Sequence, residues 1–67
     1  MQSYSLIIDG IKVTLRKKGS APIVLAKINS ATVEISIAEN IIEVLKGEIP
    51  PDIFGRVIAS VARYYLP

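Results

Sequence analysis

From Tyr4 to Lys17, YSLIIDGIKVTLRK, apolar and polar positions alternate on both sides of Asp9-Gly10, which is the strongest short-range signal for a β-hairpin. A two-residue loop there sets Ile8 opposite Ile11, Leu6 opposite Val13 and Tyr4 opposite Leu15, and directly opposed residues share one face of a sheet. That face is wholly apolar. The other holds Ser5, Ile7, Lys12, Thr14 and Arg16, with Ile7 alone out of pattern.

The connection Lys17-Lys18-Gly19-Ser20-Ala21-Pro22 is basic, and its Gly and Pro interrupt regular structure. The two-residue period then returns. With Asn29-Ser30 as a loop, Ile28 faces Ala31, Ala26 faces Val33 and Val24 faces Ile35, a second apolar face. Its reverse pairs Lys27 with Thr32, Leu25 with Glu34 and Ile23 with Ser36, so Ile7, Ile23 and Leu25 are expected at a sheet edge or against a partner.

From Ser36 the spacing reads as three to four residues. Ser36 and Glu39 fit a capping box, and Ile37, Ile41, Ile42 and Leu45 then form one helical stripe with Gly47 as the stop. Pro50-Pro51-Asp52 suits the first turn of another helix, because proline there loses no hydrogen bond and an acid complements the helix dipole. Ile53, Phe54, Val57, Ile58, Val61, Ala62 and Tyr65 cover a wide arc of it and leave Asp52, Arg56, Ser60 and Arg63 to solvent.

The pattern therefore predicts one α+β domain: two antiparallel β-hairpins (four strands, near residues 4–9, 11–17, 23–28 and 32–36) followed by two C-terminal helices (near 37–46 and 51–65) packed on one sheet face. One sheet face cannot use the whole arc of the last helix. Within it Gly55 costs about 1 kcal/mol against alanine, which implies a close approach. Ala59 lies one turn on. Phe54, Gly55, Ile58, Ala59 and Ala62 are accordingly the expected partner-binding surface.

Composition sharpens this. Sixty-seven residues bury only about 60% of their unfolded surface, yet 51% of the chain is apolar and its mean hydropathy is +0.46. The excess implies a neighbouring copy or subunit. With no Cys or His, disulfides and the usual soft-metal sites are excluded, as is the commonest general base. Glu39 and Glu43, one turn apart on a helix, read as a solvated face, Asp9 reads as a turn residue, and no glycine-rich phosphate loop is present. Catalysis, a cofactor, a metal and a small-molecule substrate are not expected.

No apolar run of about 18 residues offers a membrane span, and Met1-Gln2-Ser3 lacks the basic segment of a secretory signal. The expectation is a cytoplasmic protein. Abundant Ile with sparse Asn and Gln follows the bias of heat-adapted proteins, although charged residues are only 21%.

Charge is uneven. Residues 1–27 carry Lys12, Arg16, Lys17, Lys18 and Lys27 against Asp9, a net of +4, whereas residues 28–67 carry a net of −2. Lys12 and Arg16 share the outer face of the first hairpin, Lys17 and Lys18 extend it, and Lys27 joins them if the second hairpin packs alongside. That patch could neutralise phosphates. Against it, Tyr4 points to the core side, whereas single-strand readers expose aromatics. Residues 38–65 also have the spacing of a helix-turn-helix regulator, but Arg56, Ser60 and Arg63 make a poor recognition face. Two expectations result: an interaction or assembly module, as homodimer or accessory subunit, and a nucleic-acid-binding protein using the five cations.

Overall fold

The computed structural model describes residues 3–67. Among them five antiparallel strands form one sheet: β1 (Ser3–Ile8), β2 (Ile11–Lys17), β3 (Ile23–Ile28), β4 (Ala31–Ser36) and β5 (Glu43–Lys46), joined in the order β1-β2-β3-β4-β5. One helix, α1 (Pro51–Tyr65), follows. The fold is α+β and antiparallel, but four strands with two helices is not what forms.

The first hairpin turns through Asp9 and Gly10, at φ 51° and 78°, the left-handed conformation that a tight two-residue turn demands. It sets Ile8 opposite Ile11, Leu6 opposite Val13 and Tyr4 opposite Leu15. The second pairs Val24 with Ile35, Ala26 with Val33 and Ile28 with Ala31, and between the hairpins Val13 meets Ile28 and Leu15 meets Ala26. One continuous apolar face results. Val13, Leu15, Val24, Ala26, Val33 and Ile35 on it are fully buried beneath Ile53, Val57 and Val61 of α1.

Residues 37–46 depart from the expected helix. The Ile37 N–H donates to the Pro22 carbonyl at 2.9 Å, so the chain stays tied to the sheet one residue beyond β4. The Ser36 hydroxyl accepts from the Ala38 N–H at 3.3 Å, a local turn two residues on and not the reach to the third helical position that a capping box makes. A single 3₁₀ turn at Ala38–Asn40 follows, in which Glu39 and Asn40 adopt φ 56° and 62°. Left-handed backbone at two successive residues stops any helix. Ile41, Ile42 and Val44 are β-branched and favour extended backbone, and Glu43–Lys46 as β5 pairs along β4, which would otherwise be the exposed edge.

The spacing that reads as a helical stripe is thereby divided. Ile37 is buried and Ile42 and Val44 half-buried against the core, while Ile41 and Leu45 are exposed. Gly47 caps no helix. Its φ is +88°, and a Cβ there would stand 3.0 Å from the Thr32 carbonyl oxygen and 3.3 Å from the Val33 Cα, so glycine lets the chain leave β5 hard against β4. Losing this helix also removes the first half of a helix-turn-helix over residues 38–65.

In α1, Pro51 holds the first position, Asp52 the first turn and Arg63 the last. The helix is anchored on one side to β1 and the turn that follows it: Arg56 Nη1 donates to Asp9 Oδ1, Tyr64 stacks on Tyr4 with centroids 4.2 Å apart, and Tyr65 meets Tyr4 edge-on at 5.6 Å. Burial, with the nearby Tyr4 phenol adding to it, pushes the Tyr65 phenol above its usual value. Among the described residues no helix is long and apolar enough to cross a membrane.

Candidate nucleic-acid interface

The face of the sheet turned away from α1 is where the cations gather. Strand alternation fixes this: with Val13 and Leu15 inward, Lys12, Thr14 and Arg16 project outward from β2, and with Val24 and Ala26 inward, Leu25 and Lys27 project outward from β3. Thr14 lies directly opposite Lys27, and Arg16 opposite Leu25. The result is a concavity of about 180 Å³ lined by Lys12, Thr14, Lys27 and Asn29. Asn29 arrives there from the turn after β3, at φ 57°. Two ammonium groups, a hydroxyl and an amide all donate hydrogen bonds, and no carboxylate lines the hollow. Such a donor set takes an anion.

The five cations expected to act together are distributed unequally. Lys12 and Lys27 share the concavity. Arg16 is on the same face one cross-strand row away, beside Leu25 and, beyond it, Glu34. Lys18, past the end of β2, places its Nζ 3.9 Å from Glu34 Oε1, an exposed contact that partly neutralises it. Lys17 leaves the group altogether. It pairs with Val24, so it projects to the side that α1 covers and is half-buried there.

Thr14 and Asn29 are lining residues that charge counting overlooks. Alternation alone puts Thr14 beside Lys12; Asn29 emerges only once β2 and β3 are adjacent. Ile7, 78% exposed and directly opposite Lys12, borders this basic region, and Ile23 and Leu25 are half-buried on the same face. Tyr4, Tyr64 and Tyr65 cluster on the opposite side, so the outer face has no tyrosine for base stacking.

The residues expected to form a partner surface all lie on α1. Phe54, Gly55, Ile58, Ala59 and Ala62 follow helical spacing on the flank away from Arg56. Phe54 is 46% exposed, Gly55 and Ala59 are exposed, and Ile58 and Ala62 are half-buried. A Cβ on Gly55 would meet nothing within 4 Å, so within one copy no close approach explains that glycine. Glu39 and Glu43 do not share a helix face, since one lies in the 3₁₀ turn and the other on β5.

Compared with known proteins, the chain matches no family model, no curated protein and no solved structure.

Proposed function

We propose that the protein binds the phosphate backbone of double-stranded nucleic acid through the outer face of β2 and β3, without reading base sequence. The observation that supports this is the hollow lined by Lys12, Thr14, Lys27 and Asn29, donors throughout with no carboxylate among them. Lysine ammonium groups act as point charges toward phosphate, and Thr and Asn side chains donate to phosphate oxygens. Arg16 adds a third cation on the same face. With no tyrosine exposed there, stacking on unpaired bases contributes little, which favours a duplex over a single strand.

The test is titration of labelled duplex DNA and RNA over a range of salt. Neutralising three phosphates gives a log–log slope of about −3, or roughly 40-fold weaker binding at about 200 mM than at about 50 mM salt. Combining Lys12→Gln with Lys27→Gln reduces that slope by about two, and does so equally for unrelated sequences. Absence of binding at low salt overturns the proposal.

A second reading is favoured by a different observation, the exposed flank Phe54, Gly55 and Ala59 on α1. In that reading the protein is the accessory subunit of a larger assembly and presents this flank to another protein subunit. Ala59→Glu, which disturbs no buried contact, then releases the chain from its assembly; retention of the variant in the assembly at wild-type level rules the reading out.

A further inference from the structure

The two edges of the sheet are built differently. The β5 edge is four residues long, carries Glu43 and Lys46, and has an irregular register at Glu34/Ile35, all devices that discourage another strand from adding. The β1 edge has none of them. Its six residues, SYSLII, include no charge and no proline, and they pair with β2 in unbroken register.

The turn decides which backbone groups this edge offers. Ile8 and Ile11 flank the two-residue loop and form a hydrogen-bonded pair, so by alternation Leu6 and Tyr4 also bond inward to β2. The N–H and C=O groups of Ser3, Ser5 and Ile7 consequently face outward. A second copy of the same strand, running antiparallel about a two-fold axis through Ser5, matches them completely: Ser5 meets Ser5, and Ser3 meets Ile7 in both directions. Shifting the axis by one residue along the strand in either direction leaves one of the three outward residues without a partner inside β1.

The side chains agree with this register. On the helix-covered side Tyr4 of each copy falls opposite Leu6 of the other, an aromatic and an aliphatic residue at a closely spaced pair. On the outer side Ile7, at 78% the most exposed large apolar residue among those described, lies against Ser3 and diagonal to Ser5 of the other copy. No charged residue lies within β1, so no like charges are paired directly across the axis; Lys12 and Arg16 sit one strand behind, opposite Ile7 and Ser3, and Asp9, next along the chain, is engaged by Arg56.

We infer that the occupant of the β1 edge is a second copy of this chain, and that the protein is a dimer in which two five-stranded sheets join into one through antiparallel β1–β1 pairing. An isologous contact of this kind is self-limiting, because the axis uses the one such edge found among the described residues of each copy. The inference stands independently of nucleic-acid binding. If both hold, the outer faces of the two sheets form one surface with Lys12 and Lys27 of each copy on it.

Ser5 is exposed, so substitutions there leave the core untouched. Ser5→Lys sets two ammonium groups opposite each other on the axis, and Ser5→Glu does the same with two carboxylates. Sedimentation equilibrium is expected to give wild type twice the 7.3 kDa chain mass, each variant alone the single mass, and an equimolar mixture of the two variants the doubled mass again. Circular dichroism serves to check that both variants are folded. Wild type at the single mass up to millimolar concentration, or Ser5→Lys still at the doubled mass, overturns the inference, as does a mixture of folded variants that stays at the single mass. Ala59→Glu, by contrast, is expected to keep the doubled mass; its loss there would move the interface to α1.

Discussion

The two faces of the sheet are made by the same strands under opposite constraints. On the helix side every central position, from Val13 and Leu15 through Val24 and Ala26 to Val33 and Ile35, is sealed from water. On the other side the alternate residues of those strands are Lys12, Thr14, Arg16, Leu25, Lys27, Thr32 and Glu34, none of them fully buried. The first face is dictated by packing. On the second, most substitutions cost little stability, so folding does not require three cations to meet on β2 and β3. The contrast is why the proposed binding is assigned to the face that folding leaves undetermined.

The sharpest way to break it is to make one change on each side. Leu15→Ala, under α1, should destabilise by about 2–5 kcal/mol in denaturant unfolding, while Leu25→Ala, half-buried outside, should cost less than half as much. Equal losses would mean that the outer face is itself a core, covered by a partner even in the purified protein. Gly47→Ala comes next: an unfavourable positive φ and a Cβ 3.0 Å from the Thr32 carbonyl should lower the unfolding free energy by more than about 1 kcal/mol and loosen β5 first, visible as faster amide exchange along Glu43–Lys46.

Gly55→Ala should do the reverse. With open space around it and a helical backbone, alanine is expected to stabilise by up to about 1 kcal/mol. A loss of stability or of assembly would place a tightly packed partner on that side of α1.

The smallest effect is on pH. Since the Tyr65 phenol is raised in the folded protein, the fold favours its neutral form. Its contribution is complete below the ordinary value of 10.0 and is lost as pH climbs from there through the folded value. Stability should therefore fall in alkali above that point, and Tyr65→Phe should flatten the fall in a pH series of thermal melts.

Much of the first 36 residues could be read directly. Asp9-Gly10 and the strict alternation around it set a register in which a slip of one residue would turn Leu6, Val13 and Leu15 to water, so pattern and pairing had no second solution. The start of α1 was equally legible from Pro50-Pro51-Asp52. Residues 37–46 were not. Ile37, Ile41, Ile42 and Leu45 satisfy a helical stripe, and Ile42 and Val44 satisfy a strand; over so few residues periodicity does not choose between them. The open edge of β4 chose, together with the hydrogen bond from Ile37 to the Pro22 carbonyl.

The basic face divides in the same manner. Local alternation alone assigned Lys12, Thr14 and Arg16 to one side of β2. The same alternation puts Lys17 on the helix side with Leu15, whereas only the pairing of β2 with β3 brought Lys27 and Asn29 alongside, and only the folded sheet left Lys18 beside Glu34. Sequence determined whatever one strand or one turn decides by itself, because that physics acts between neighbours along the chain. The fifth strand, the hollow between the lysines and the contrast between the two edges came only with the tertiary structure, because they arise where distant segments compete for the same hydrogen bonds and the same buried surface.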